Sequence, residues 1–372
     1  MANINKNQEQ EIVTSNSSQA ATGSGHFSRW NTIINTCNFP EDLDKPDLIS
    51  KWLVIVRACV FSMTLTSGLI GGFLAMWAAS IAGVDILTLN WGNFILATFA
   101  IVLAHAVNNM LNDYFDYKTG IDDSEYARAM YAPHPIIAGL TTERNLLLVV
   151  GLFNLIFIAI SLYFAFTVDL AVLVFAILGL FLSIAYVAPP FNFKRHGLGE
   201  TSVFIVWGPL MIGMTYFVTY GSAPTTWVWL ATIPYAITVT TVIMGKHIDK
   251  YPADIEKGVH TLPVIIGERN GRLLNQFLMI MFYVLILIMV LDSMLGIAVL
   301  LVFLAIPRLV KTIKLHNQPK PVTPPDDFAV WPLWLVSWSF WHNKLAGGLF
   351  VLGLIINLVL GPQLTLLKYL IK

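Results

Sequence analysis

Long apolar stretches recur along this chain, and several run 18 residues or more without interruption. A lipid bilayer offers no partner for a peptide N–H or C=O, so such stretches must pair their own backbone as helices. Nine segments can be drawn, at roughly 52–80, 93–117, 145–167, 169–188, 201–220, 226–247, 272–291, 294–310 and 345–367. Only 12% of the 372 residues are charged, against about 25% in an ordinary soluble domain. The expected class is all-α: a polytopic membrane protein of about nine transmembrane helices. Membrane lipid is then its surroundings. A formal net charge of zero gives no electrostatic reason to expect nucleic acid as a partner.

The basic residues set an orientation. Lys6, Arg29, Lys45, Lys51 and Arg57 precede or open the first segment, and Lys118, Arg128 and Arg144 lie between the second and third. Lys194 and Arg195 follow the fourth, Lys246 to Arg272 bracket the loop after the sixth, and Arg308 to Lys344 bracket the loop after the eighth. The intervening short loops, near 81–92, 168, 221–225 and 292, hold no Lys or Arg. By the positive-inside rule the N-terminus and the long loops are cytoplasmic, and the C-terminus lies outside an inner (cytoplasmic) membrane.

Polar residues gather at one helix end on that cytoplasmic side. Asn109, Asn112, Asp113 and Asp116 close the second segment, with Gly120 at the helix end and Asp122 on the loop. At about 100° per residue the first four share an arc of roughly 100°. Carboxylates near hydrocarbon are costly. Hard oxygens on one helix face suit Mg²⁺, which pairs a few carboxylates with a phosphate-bearing substrate.

A second acidic cluster, Asp249 to Asp254, ends the sixth segment. Asp116 precedes Gly120 by four residues, and Asp254 precedes Gly258 by four. Beyond each lies a Pro-x-x-x-Gly step, Pro135 to Gly139 and Pro263 to Gly267. A duplicated four-helix unit plus a ninth helix accounts for the repeat. Two facing sets of carboxylates are suited to Mg²⁺ ions that bridge a diphosphate. Lys194 and Arg195, after Pro189-Pro190, are placed to grip the same diphosphate. His105, His134 and His247 lack the spacing of a zinc site and read as hydrogen-bonded structural residues.

These motifs together resemble the UbiA-type superfamily of intramembrane aromatic prenyltransferases. Asn112-Asp113-Tyr114-Phe115-Asp116 with Gly120 and Asp122 is similar to its first Asp-rich motif. Asp249 to Asp254 with Gly258 and Thr261-Leu262-Pro263-Val264 is similar to the second, although the family commonly spaces that Asp pair by four residues rather than five. Tyr186, Pro189-Pro190, Lys194 and Gly197-Leu198-Gly199-Glu200 resemble the menaquinone branch, which prenylates 1,4-dihydroxy-2-naphthoate. The resemblance covers about residues 50–365. It implies helices around a central cavity, Mg²⁺, a polyprenyl diphosphate and an aromatic acceptor. On this reading Asp116, Asp254 and Lys194 are catalytic, and Asn112, Asp113, Asp116, Asp122, Asp249 and Asp254 hold metal. Asn109, Lys118, Arg128, Tyr186, Arg195, Lys246 and Glu200 bind substrate. Related chemistry on 4-hydroxybenzoate, homogentisate, haem, chlorophyllide or a glycerol-phosphate lipid shares most of these motifs. A transporter would instead carry its ionisable groups near mid-membrane.

Residues 1–50 are polar and expected to be largely disordered, without the apolar core of a secretory signal. Residues 51–372 form the transmembrane domain. A Pro- and Trp-rich insert near 318–342 carries Trp331, Trp334, Trp338 and Trp341 at a spacing that predicts an interfacial aromatic helix. Cys37 and Cys59 show neither metal spacing nor a disulfide framework.

The charge pattern yields one test. In a cysteine-free background, Gly258→Cys is expected to react with an impermeant maleimide only from the cytoplasmic side, and Ala223→Cys only from the outside. Labelling of both from one side overturns the orientation.

Overall fold

The computed structural model describes residues 25–40, 45–123, 127–325, 328 and 330–361, and helices dominate throughout. Two short helices come first, α1 (His26–Thr36) and α2 (Leu48–Ile55). The bundle follows: α3 (Phe61–Ile81), α4 (Trp91–Lys118), α5 (Glu143–Thr167), α6 (Val172–Val187), α7 (Gly199–Tyr220), α8 (Thr226–Asp249), α9 (Glu268–Leu291), α10 (Ile306–His316) and α11 (Trp334–Leu360). Seven described helices are long and apolar enough to cross a membrane. Among the described residues, seven helices therefore meet that length against about nine segments expected from hydropathy. The fourth expected segment forms α6, only 16 residues long. The eighth is a 3-10 run, Ile297–Ala305, that continues into the amphipathic α10.

Local chemistry starts and stops these helices. Asp47, Asn90 and Thr142 accept from the backbone N–H groups of Ser50, Asn93 and Asn145, so the first turns of α2, α4 and α5 are capped. At the other end of α4, Gly120 takes φ +68°, and the Ile121 N–H closes on the Asp116 carbonyl at 2.9 Å. The second cluster repeats this closure: Gly258 takes φ +65°, and the Val259 N–H reaches the Asp254 carbonyl at 2.7 Å. Left-handed backbone is inexpensive only for glycine, so the Asp-to-Gly spacing seen twice in sequence is a geometric requirement met twice.

Between helices, packing relies on small residues, as expected where lipid and side chain are equally apolar. Gly71 on α3 faces the backbone of α7, and Gly353 on α11 lies against Val299. Around these contacts a continuous apolar core runs through α3, α4, α7, α8, α9 and α11. α5 and α6 are peripheral, with Leu155, Phe166 and Ile177 largely exposed on the outer face.

Other expectations need correction. His26–Thr36 is helical, so part of the supposedly disordered tail is ordered; residues 1–24 lie outside the described residues. Cys37 and Cys59 are joined, with Cα atoms 5.3 Å apart. Two cysteines 22 residues apart carry no pattern, and the pairing depends on α1 folding back onto the start of α3. Trp334, Trp338 and Trp341 belong to α11 itself rather than to a separate interfacial helix. Lys311 lies 4.6 Å from the Trp338 ring and Arg308 4.3 Å from that of Trp341. The expected exterior C-terminus falls outside the described residues.

A Cβ at Gly71 would stand 2.6 Å from the Ile212 carbonyl oxygen, whereas one at Gly151 on α5 meets nothing within 4 Å. Gly71→Val is expected to cost about 1–3 kcal/mol by overpacking, lowering the unfolding temperature in detergent. Gly151→Val serves as the control and is expected to change it little.

Candidate active site

The last two turns of α4 carry the first motif, and each of its polar side chains has a distinct task. Asn109 donates from Nδ2 to the Val56 carbonyl at 3.0 Å, tying α4 to the chain just before α3. Asp113 is fully buried and faces two guanidinium groups. Arg128 donates to both of its oxygens at 2.9 Å, and Arg57 contacts Oδ1 as well. Burial opposes the Arg57 charge, but the Asp113 carboxylate beside it raises its pKa above the usual guanidinium value. The arrangement is a buried ion triad. Asp113 faces Arg57 and Arg128 here, and Arg128 also donates to the Ala132 carbonyl at 3.0 Å.

Asn112 and Asp116 turn the other way, towards the loop after α6. The Lys194 ammonium donates to Asn112 Oδ1 at 2.9 Å and also to Asp116 Oδ2. Arg195 approaches Asp116 Oδ1 at 3.7 Å. These two oxygens therefore converge on a single cation, as a hard-metal ligand pair must. Lys194 is itself buried, 5% exposed, and is positioned by the 3-10 turn Phe193–Arg195, entered through Asn192 in left-handed backbone.

The second motif is divided by a helix break. α8 ends at Asp249, and a new helix begins with Tyr251-Pro252. Asp249 consequently points to the start of α11, where it accepts from the N–H groups of Leu335 and Val336, both at 2.9 Å. Here Asp249 satisfies backbone N–H groups in the first turn of α11, a role that the sequence does not signal. Asp254 remains at the site, fully buried, with Lys250 Nζ 3.4 Å from Oδ1 and the Thr261 hydroxyl donating to Oδ2 at 3.4 Å. A backbone bridge between His196 and His260 draws the Lys194 loop and the second motif together.

Other expected site residues divide similarly. Lys118 pairs with Glu143 at 2.7 Å on the exposed side of α4, away from the cluster. Glu200 Oε1 contacts His247 Nδ1 at 2.6 Å, while its Oε2 is buried with no hydrogen-bond partner among the described residues. Asp122 is buried, with His134 Nε2 3.5 Å from its Oδ2. Asp113, Asp122 and His134 each present a ligand atom within 4.8 Å of the others, but the two guanidinium groups on Asp113 oppose a cation there.

Below Asn112 opens an apolar cavity of about 420 Å³. Asn109, Asn112, Tyr186 and Lys246 line it at the polar end, and Trp207, Met211 and Phe157 line its apolar wall. Lys246 lies within electrostatic reach of Lys194, Lys250, Arg57 and Asp116. Basic and acidic side chains therefore lie together where the cavity meets the Asp clusters. The bases suit a polyanion, while the apolar wall suits a hydrocarbon. Lys250 stands four residues from Asp254, a spacing legible in the sequence. No local pattern links Arg57 to Asp113, 56 residues on, so only the fold brings them together.

The described residues form a helical bundle with buried acids and bases at the head of an apolar cavity, a space with the polarity of an amphiphile. The chain belongs to the UbiA prenyltransferase family, which it matches over residues 68–341, and is accordingly a transferase of prenyl groups. It is 25% identical over 281 residues to a 2-carboxy-1,4-naphthoquinone phytyltransferase of Synechocystis, covering 73% of this chain and 85% of that one. It is 28% identical over 248 residues to UbiA prenyltransferase domain-containing protein 1 of Dictyostelium discoideum, covering 64% and 71%. Among solved structures, a UbiA homolog from Aeropyrum pernix superposes with a TM-score of 0.59 at 16% identity, over 80% of this chain and 97% of that one. A UbiA homolog from Archaeoglobus fulgidus bound to GPP and Mg²⁺ superposes with a TM-score of 0.53 at 14% identity, over 81% and 99%. These superpositions establish the fold.

Removing one partner of a buried ion pair costs about 3–5 kcal/mol. Asp113→Asn leaves Arg57 and Arg128 undercompensated and is expected to lower the unfolding temperature in detergent markedly. Lys118→Ala, on the exposed face, is expected to leave it unchanged.

Proposed function

We propose that this chain transfers a polyprenyl group from a prenyl diphosphate to an aromatic acceptor in the membrane, with 1,4-dihydroxy-2-naphthoate as the acceptor, a step of menaquinone biosynthesis. The observation that carries this reading is the cluster of acidic and basic side chains opening directly onto an apolar cavity. The naphthoquinone phytyltransferase relative supports the choice of acceptor, and the relative bound to GPP and Mg²⁺ supports the prenyl diphosphate and the metal.

Asn112, Asp116 and Asp254 are the residues that would hold Mg²⁺. Their hard oxygens fit it, and the convergence of Asn112 and Asp116 on one ammonium is the geometric support. Bound Mg²⁺ neutralises charge on the departing diphosphate. Lys194, Arg195, Lys246 and Lys250 grip the phosphate oxygens and keep that charge from returning to the allylic carbon. The apolar wall excludes water, which would otherwise capture the cation. The faces of Tyr186 and Trp207 line the same space and favour positive charge near them. The electron-rich ring then bonds to the allylic carbon. With a carboxylated acceptor, carbon dioxide leaves the ring and aromaticity returns; with an uncarboxylated one, a base takes the ring proton.

Two measurements test this. Asp116→Asn and Asp254→Asn are each expected to lower turnover per folded molecule by at least about a hundredfold, with a drop in unfolding temperature because Lys194 and Lys250 each lose a buried partner, and EDTA is expected to abolish wild-type turnover reversibly. Mass spectrometry of the product from dihydroxynaphthoate and a long-chain prenyl diphosphate is expected to show a prenylated naphthoquinol without the carboxyl group. No product from that pair, with product from another aromatic, places the chain in a different acceptor branch.

A further inference from the structure

His105 has a place in the site that neither the Asp clusters nor the phosphate-binding residues explain. It lies on α4 seven residues before Asn112, two helical turns or about 10.5 Å along the axis at 1.5 Å per residue. That puts it on the same helix face as Asn109, Asn112 and Asp116, deeper in the membrane, and its ring lines the cavity. It is 4% exposed. A histidine this deep needs a reason.

The surroundings fix the ring. Thr64 Oγ1 lies 2.7 Å from Nδ1. The Trp207 ring meets the imidazole edge-on with centroids 4.9 Å apart, and Phe61 packs on it at 5.4 Å. Thr64 is itself fully buried, and His105 is its only hydrogen-bond partner among the described residues. A buried hydroxyl hydrogen seeks an acceptor, so Thr64 donates into the Nδ1 lone pair. This leaves the hydrogen on Nε2, the tautomer being set by the bond at the other nitrogen. Among the described residues Nε2–H has no hydrogen-bond acceptor. With Nδ1 taken by Thr64, the ring offers a fixed Nε2–H donor among the residues that line the cavity, beside Trp207.

We propose that His105 determines acceptor specificity: its Nε2–H donates to a ring oxygen of the bound aromatic, on the side of the ring away from the prenylated carbon. The inference rests on the aromatic-acceptor reading above and deepens it. With the diphosphate held at the level of Asn112 and Asp116, two turns of depth accommodate the allylic carbon and a ring beyond it. The far edge of that ring then meets His105. The preferred substrate class is a hydroxylated or quinol aromatic with an oxygen opposite the reacting edge. An aromatic lacking that oxygen leaves a buried donor unpaired, which is how such sites reject deoxy analogues.

The test compares 1,4-dihydroxy-2-naphthoate with 1-hydroxy-2-naphthoate, which lacks the far oxygen, using purified chain, Mg²⁺ and one prenyl diphosphate. Wild type is expected to prefer the dihydroxy compound by about tenfold or more in kcat/KM. His105→Phe is expected to remove that preference by raising KM for the dihydroxy compound, with KM for the prenyl diphosphate unchanged. His105→Gln, whose amide also donates, is expected to retain much of the preference. Thr64→Val frees the tautomer without touching the cavity face, and is expected to reduce the preference in part. Equal losses on both naphthoates in these variants would show a packing role and overturn the proposal, as would a preference that survives His105→Phe. Failure of the acceptor assignment itself is separately visible as no wild-type turnover of dihydroxynaphthoate. The same pair of measurements on the hydroxylated acceptor that the wild type does take, against its deoxy analogue, then decides the role of His105.

Discussion

A carboxylate at the end of a membrane helix is tolerated only when it is paired, and Asp113 is paired twice. Its two guanidinium partners come from different places, Arg57 just before α3 and Arg128 in the short helix Ala127–Tyr131. The triad therefore ties three segments to one point on α4. With that point fixed, the neighbouring Asn112 and Asp116 have one orientation left, towards Lys194. The side chain placed between the two reactive positions in the sequence is thus the one that holds them in place.

From this anchor the division of labour along α4 follows the helical period. The turn at Asp113 faces the protein's own cations. The stripe through His105, Asn109, Asn112 and Asp116 runs beside the cavity and up to the Lys194 loop. Charge density falls steadily along that stripe, from two cations on Asp116 to a single neutral imidazole at depth. A substrate with a charged head and an apolar body has a matching gradient.

The two Asp-rich stretches look alike in sequence and behave alike only in part. Their backbones close identically, because a glycine at the same spacing permits the same left-handed turn after Asp116 and after Asp254. Their leading acids do not correspond. Asn112 stays on a continuous helix and faces the site, whereas Asp249 ends its helix and is used to start another.

What the sequence determined by itself was set by local or periodic physics. Apolar runs demanded membrane helices, Asn112 and Asp116 shared a face by their spacing of four, and Gly120 and Gly258 marked helix ends. Lys194 was legible from charge in an apolar context. What only the tertiary structure decided depended on partners distant in sequence. Only the fold places Arg57 and Arg128 beside Asp113, and the start of α11 beside Asp249. Arg128 and Lys118 carry suitable charges but pair with Asp113 and Glu143. His105 looked like a structural residue because its meaning lies in which of its two nitrogens is already bonded. A sequence states which groups can bond; burial, by making every unpaired group costly, decides which of them are left for a substrate.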